Sequence, residues 1–242
     1  MRQEPAGAVE QAQTRRLTRI NLFSAVAFIL GGSLFALGAV LAQLGVGTLL
    51  TVNITYLVGG FFFSLGGYAS ILLVVNAARD ERHLGTEEPM RWWSYQPHRR
   101  DWLSAVVLFS GTLLFAVSLV AAFAEGLTPR QSNGWIWLPD ILGCVCFLVS
   151  GHLAMHEVGG AGHVVVRVHV LAWWVVAINQ IGSILFFLAG IAAFTRPATS
   201  SALDVGLVNW GTFAGAVCFA VGGVAQVFER PTSTRTVVQH TP

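Results

Sequence analysis

Six separate stretches of this 242-residue chain are long enough and apolar enough to cross a lipid bilayer. A helix needs about 20 apolar residues to span roughly 30 Å of hydrocarbon. Only 11% of the residues are charged, whereas an ordinary soluble domain carries about 25%. The stretches must be helices, because an open strand edge in lipid would leave backbone groups unpaired and the alternation of a barrel strand is missing. The predicted fold is an all-α, polytopic bundle of six transmembrane helices.

The predicted helices group into three hairpins, which are separated by two loops. The spans are 20–45 and 49–78 in the first hairpin (20–78), 102–124 and 139–158 in the second (102–158), and 170–194 and 203–228 in the third (170–228). The loops are 79–101 and 159–169. Residues 1–19 and 229–242 are polar and lack periodicity, so both are predicted to be disordered tails.

Every span carries the same short pattern: Gly, a small residue, two variable positions, Phe, two variable positions and another small residue. The six copies are Gly31–Phe35–Gly38, Gly59–Phe63–Gly66, Gly111–Phe115–Ser118, Gly143–Phe147–Ser150, Gly182–Phe186–Ala189 and Gly215–Phe219–Gly222. The three positions of a copy fall on one stripe of a helix, and small residues let helices approach closely in lipid. The pattern predicts a helix-packing motif and an internal repeat of three hairpins. The alternative is a Phe-lined central pathway or a pocket for a lipid-like ligand.

The arginines divide unequally between the two ends of the spans. One side has Arg2, Arg15, Arg16, Arg19, Arg79, Arg82, Arg91, Arg99, Arg100, Arg167, Arg230 and Arg235. The other side has only Arg130 and Arg196. Because basic residues favour the cytoplasmic side of a membrane, both tails are predicted to be cytoplasmic.

Short motifs in the second half of the chain resemble the YrhK-like family of small bacterial membrane proteins. They are the segment Asn179–Phe186, its echo Asn209–Thr212 running to Cys218–Phe219, the Pro97–Trp102 start of the third span and Pro139–Gly143 in the fourth. The resemblance covers about residues 90–230. It implies a bacterial cytoplasmic membrane protein built from two-helix units, and it implies no activity or functional residues.

Two histidines are weak candidates for a metal or haem site. His152 and His156 lie four residues apart, so they share one face of the fourth helix. Such a pair can bind a metal, but it supplies only two ligands, and Cys144, Cys146 and Cys218 all lie within apolar spans. We expect no cofactor and no metal, with the histidines at the interface or in packing.

Acidic and amide side chains within the spans are the other candidates. Asp140 and Asp204 are predicted to lie at helix starts, where an acid is ordinary, and a role in ion entry is the alternative. The uncharged polar residues within the spans are Asn21, Asn53, Asn179, Gln180 and Asn209. They are predicted to form hydrogen bonds between helices, and no helix face along which several of them stack is evident.

The loop Arg91–Arg100 mixes basic and aromatic residues next to the membrane, which suits anionic lipid at the interface. A nucleic-acid partner is not expected, because acidic residues balance the few basic ones. No catalytic signature is present, so the chain is predicted not to be an enzyme. No oligomeric state or protein partner is predicted.

Three functions fit these features. The first is a non-enzymatic scaffold or accessory protein of YrhK-like type in the lipid bilayer. The second is a channel or transporter for a small or apolar solute, and the third is a metal- or haem-binding membrane protein. Intramembrane charge is usual in ion carriers, and the apparent scarcity of such charge here favours the scaffold.

Overall fold

The computed structural model describes residues 6–77, 89–159 and 166–229, with side chains from residue 11 onward. It contains six long helices: α1 (Ala6–Leu44), α2 (Leu49–Ala77), α3 (Arg100–Ala121), α4 (Pro129–Gly159), α5 (Leu171–Ala192) and α6 (Val205–Val227). All six are long and apolar enough to span a membrane, and the described residues form no strand. The prediction of an all-α, six-span bundle is confirmed, and the chain is a multi-pass integral membrane protein.

The six helices form a closed ring. Each helix packs against the helix before it and the helix after it, and α6 packs against α1. The contact between α6 and α1 is close because small residues face each other: a Cβ atom added to Gly32 would lie 2.7 Å from the Ala216 carbonyl oxygen. The ring therefore has an interior, which the side chains of all six helices line.

Successive helices run in opposite directions, so the ring has two distinct ends. The end at which α1 begins and α6 finishes holds most of the described arginines, among them Arg15, Arg99 and Arg167. We call it the Arg-rich side. The opposite end holds Arg130 and Arg196 and is called the Arg-poor side. The assignment of the Arg-rich side to the cytoplasm stays a prediction.

Helix α1 begins at least 14 residues before the predicted span, so residues 6–19 are not the disordered tail that the sequence predicted. The reason is that one face of this extension packs against the end of α2. Leu17 is fully buried, and the Gln13 side chain donates a hydrogen bond of 3.2 Å to the Asn76 carbonyl oxygen. Arg15 and Arg19 of the segment are exposed. Residues 230–242 of the other predicted tail and parts of both loops, 78–88 and 160–165, lie outside the described residues.

Helix α4 begins ten residues earlier than predicted, at Pro129 and not at Pro139. Thr128 caps the helix: its hydroxyl accepts a hydrogen bond from the Gln131 backbone N–H, and the Gln131 side chain accepts one from the Thr128 backbone N–H. A π-helical stretch, Asn133–Trp137, then leads into Pro139. Proline is disfavoured inside a helix because it lacks an N–H and its ring clashes with the preceding turn. The wider π turn before it keeps α4 continuous.

Candidate functional site

Within each hairpin, the Gly of one helix lies against the Phe of the other. A Cβ atom added to Gly59 would lie 2.7 Å from Cδ2 of Phe35, and one added to Gly31 would lie 3.0 Å from Cδ2 of Phe63. The same reciprocal contact joins Gly111 to Phe147, Gly143 to Phe115, Gly182 to Phe219 and Gly215 to Phe186. The predicted stripe therefore lies at the contact between the two helices of every hairpin.

In most copies of the motif, the small residue after the Gly lies where two hairpins meet. Gly60 of α2 faces α3, where a Cβ atom would lie 2.5 Å from Cδ1 of Leu119. Cys144 of α4 faces α5, and its thiol donates a hydrogen bond of 3.4 Å to the Phe186 carbonyl oxygen. Gly32 and Ala216 meet between α1 and α6. The motif thus serves both kinds of interface, one within hairpins and one between them.

The six phenylalanines of the motif form two stacked layers across the middle of the ring. Phe63, Phe147 and Phe219, from the even-numbered helices, have ring centroids 5.5–6.4 Å apart. We call this the inner layer. The other three rings form the outer layer, in which Phe186 lies 6.1 Å from Phe35 and 6.2 Å from Phe115. Partners within a hairpin connect the layers at 5.1–5.3 Å. Only a void of about 10 Å³ remains among these rings, so the layers close the centre of the ring.

A cavity of about 240 Å³ lies on the Arg-poor side of these layers. We call it the Asp140 cavity. The outer Phe layer is its floor, because Phe35, Phe115 and Phe186 all line it. Its polar lining consists of Asn53, Tyr56, Ser118, Asp140, Cys144, Asn209 and Thr212, which come from four of the helices. Asp140 is the only charged residue among the residues that line it.

Asp140 lies deep in the bundle. It follows Pro129 by eleven residues, which is about 17 Å along the helix axis and therefore within the hydrocarbon zone of a bilayer centred on α4. Among the described residues, no hydrogen bond or ion pair reaches its carboxylate. Gly190 of α5 makes room for it: a Cβ atom there would lie 3.3 Å from both Asp140 Oδ2 and Cys144 Sγ.

This placement corrects the interpretation of Asp140 as an acid at a helix start. The stabilising effect of a helix N-terminus is limited to its first turn, and Asp140 lies beyond the third turn of α4. Asp204 does occupy such a position: it precedes α6, and its Oδ1 accepts a hydrogen bond of 2.9 Å from the Leu207 backbone N–H. The two acids therefore differ in position, although both were predicted to lie at helix starts.

A second cavity, of about 130 Å³, lies on the Arg-rich side of the Phe layers. We call it the Asn179 cavity. Phe147 and Phe219 of the inner layer line it, together with Phe28 and Leu108. Its polar lining is uncharged and consists of Ser70, Ser104, Ser150, Asn179, Ser183 and Gln226. The Asn179 Oδ1 atom is buried and has no hydrogen-bond partner among the described residues.

In every helix, the residue three positions before the motif Gly lines one of the two cavities. Even-numbered helices place Tyr56, Asp140 and Thr212 in the Asp140 cavity, and odd-numbered helices place Phe28, Leu108 and Asn179 in the Asn179 cavity. Sequence reasoning missed Tyr56 and Thr212. The signal that could have found them is this offset, because the residue lies one turn from the Gly on the same stripe.

Four of the five amides within the spans, all except Asn179, form hydrogen bonds to neighbouring helices. Asn209 donates to Gln43 Oε1 at 3.0 Å and Gln226 donates to Asn21 Oδ1 at 3.0 Å, so one amide pair joins α6 to α1 at each end. Asn53 donates to the Ala122 carbonyl oxygen at 2.9 Å. Two of these amides, Asn53 of α2 and Asn209 of α6, both line the Asp140 cavity, although no single helix face carries several of them.

The histidine pair lies away from both cavities. The Nε2 atoms of His152 and His156 are 3.1 Å apart, and the His152 side chain is exposed on the outer face of α4. Among the described residues, no group of three or more His, Cys, Asp or Glu side chains could hold a metal ion. His163 lies outside the described residues, and the absence of a cofactor stays a prediction.

The loop before α3 is fastened to the end of α2. The Asn76 side chain donates to the Arg91 carbonyl oxygen at 2.8 Å and accepts from the Arg91 backbone N–H at 3.0 Å. Trp92 and Tyr95 remain exposed. Anionic lipid at this loop stays a prediction.

No family model, curated protein or solved structure matches this chain. The resemblance to the YrhK-like family therefore stays a prediction. The fold defines a six-helix integral membrane protein with two internal cavities, and any function must be argued from those cavities.

Proposed function

We propose that this protein is a non-enzymatic membrane carrier for a small solute, of YrhK-like type, in which the two cavities are stations on one pathway. The observation that carries the proposal is the position of the cavities. The Asp140 cavity and the Asn179 cavity lie on opposite sides of the closed Phe layers, inside one ring of helices. A pathway through the ring would pass from one cavity to the other, and only the Phe layers separate them.

The cavities favour a carrier over a scaffold. A scaffold needs only a packed core, and packed protein interiors contain few voids larger than a water molecule. The Asp140 cavity, at about 240 Å³, is much larger than that. Its carboxylate supports the same conclusion, since an ionisable residue within a span usually belongs to a pathway for a solute or ion.

The proposal is tested by asking whether water-soluble reagents reach the cavities. The starting protein has Cys144, Cys146 and Cys218 replaced by Ala. Single cysteines are then added as Thr212→Cys in the Asp140 cavity and Ser70→Cys in the Asn179 cavity. Val221→Cys, on the lipid-facing side of α6, is the matched control. Each variant is treated in membrane vesicles with a small, membrane-impermeant methanethiosulfonate.

We expect modification of Thr212→Cys from the Arg-poor side and of Ser70→Cys from the Arg-rich side, with no modification of Val221→Cys. Mass spectrometry of the intact protein measures the extent. If both cavity cysteines stay unmodified in protein that keeps its melting temperature, the cavities are closed packing defects. The carrier proposal then falls and the scaffold becomes the better conclusion.

A further inference from the structure

We infer that the solute of the Asp140 cavity is a small organic monocation, for which Asp140 is the counter-ion. The inference rests on the proposed function, since it names the class of solute that the cavity takes. It starts from the charge of the cavity. Asp140 is the only charged residue among those lining either cavity, and no described side chain pairs with it.

A carboxylate at this depth favours a cationic ligand. A negative charge within the bilayer is costly unless a positive charge accompanies it, and the described residues supply none near Asp140. A cationic group on the solute would provide the missing partner. An anionic solute would add a second negative charge to the same cavity, where the low dielectric strengthens repulsion.

The walls of the cavity favour an organic cation over a metal ion. Its floor consists of three phenylalanine rings, and Tyr56 lies at its side. Aromatic faces attract ammonium groups and accept the apolar part of an organic cation. A metal ion would need several charged or neutral oxygen ligands close together. The volume of about 240 Å³ also far exceeds that of a bare ion.

The amides at the rim suit a neutral hydrogen-bonding group on the same solute. Asn53 and Asn209 line the cavity with their amide groups, but both amide nitrogens already donate, to Ala122 and to Gln43. Each amide keeps a second N–H, and its carbonyl oxygen accepts no hydrogen bond among the described residues, so that oxygen can accept from a hydroxyl or an N–H of the solute. The site accordingly fits a small alkylammonium that carries one hydrogen-bond donor.

The first test uses reaction rates at Thr212→Cys in the cysteine-free protein. A cationic and an anionic methanethiosulfonate are compared, and each rate is divided by the rate of the same reagent with a free thiol. We expect the cationic reagent to react at least about tenfold faster, because a single nearby charge acts strongly in a low dielectric. Asp140→Asn should abolish the preference. Asp204→Asn, at the cap of α6, is the control that should keep it.

The second test uses binding of a probe by the otherwise unaltered protein. Choline and dimethylbutanol, its uncharged carbon isostere, are added to the protein in detergent, and the melting temperature is measured. We expect choline alone to raise it in the wild type and in Asp204→Asn, and neither compound to raise it in Asp140→Asn. A ligand that binds only the folded state raises stability in this way.

The outcomes separate the inference from the proposed function. Equal normalised rates for both reagents, with Thr212→Cys modified, would overturn the cation assignment and leave the pathway standing. Equal stabilisation by dimethylbutanol and choline would do the same. If neither reagent modifies Thr212→Cys, the cation assignment is overturned, and if Ser70→Cys also stays unmodified the carrier proposal falls with it.

Discussion

The Asp140 cavity and the Asn179 cavity occupy equivalent places in the packing motif but differ in chemistry. In both, the lining includes the residue three positions before the motif Gly. On the Arg-rich side two of these three residues are Phe28 and Leu108, and Phe28 packs on Phe63 with ring centroids 6.0 Å apart. On the Arg-poor side they are Tyr56, Asp140 and Thr212.

This difference shows how one framework can carry two kinds of site. The Gly and Phe positions set where the helices touch and where the ring is closed, and they are the same in every helix. The position one turn earlier packs against the last small residue of the partner helix's motif, as Phe28 does on Gly66 and Tyr56 on Gly38. Its side chain therefore shapes the cavity beside the Gly–Phe contact. Apolar residues there extend the Phe layers, whereas polar ones make a place for a solute.

The largest expected effect concerns which cavity faces outward. If the Arg-rich side is cytoplasmic, Glu88→Cys and Val238→Cys should not react with a membrane-impermeant maleimide on intact cells and should react after permeabilisation. Thr199→Cys, in the exposed loop on the Arg-poor side, should react on intact cells. The reverse pattern would exchange the two cavities between the faces of the membrane.

Removal of one ring from the Phe layers, which separate the cavities, should lower the stability of the bundle. Phe219 contacts Phe63, Phe147 and Phe186, so Phe219→Ala is expected to lower the free energy of unfolding by about 3–5 kcal/mol. Phe213→Ala, on the same helix but outside the layers, is the control and should cost less. Denaturation in mixed micelles measures both. Equal losses would mean that the layers contribute no more than an ordinary partly exposed ring.

A larger side chain at a motif Gly should disturb both cavities, because the contact within the hairpin is shared by them. A Cβ atom at Gly215 would lie 2.5 Å from Cδ1 of Phe186, so Gly215→Leu must push α5 and α6 apart. We expect a loss of about 1–3 kcal/mol in the free energy of unfolding. Val221→Leu, facing lipid on the same helix, should change stability little. If the two variants unfold alike, the stripe is not a packing interface.

The smallest effect concerns the amide pairs that close the ring at its two ends. Gln43 and Asn209 pair on the Arg-poor side, and Asn21 and Gln226 pair on the Arg-rich side. Double-mutant cycles to Ala should give a coupling energy of about 0.6 kcal/mol for each pair. A coupling energy near zero for the Asn209–Gln43 pair alone would indicate that this hydrogen bond does not hold α6 against α1.

Much of the fold could be predicted because hydrophobic length and the Gly–Phe stripe are local features. They specify six helices and the face on which each packs. The contact of α6 with α1 could not be predicted in the same way. It joins residues such as Asn21 and Gln226, which are 205 positions apart, and no local pattern indicates which helices become neighbours.

The candidate site was harder to predict, because the preference of proline for helix starts placed Asp140 at the wrong position in its helix. Proline often marks a helix start, so Pro139 made Asp140 look terminal. The capping of α4 by Thr128 and the π turn before Pro139 move the true start ten residues back. Tyr56 and Thr212 were missed for another reason: each is an unremarkable residue in its own helix, and only the closed ring brings them beside Asp140.

The reciprocal contact of Gly and Phe has a consequence for insertion into the membrane. Exchanging the two helices of a hairpin leaves that contact unchanged, which is the property of a two-fold rotation axis lying in the plane of the bilayer. The two Phe layers are exchanged by the same rotation, so the centre of the bundle has nearly the same shape when the molecule is turned upside down. The packing energy of these layers is therefore nearly the same for the two orientations of the protein in the membrane. The arginines at the two ends can set the orientation instead, and moving a few of them across should yield both orientations around intact Phe layers.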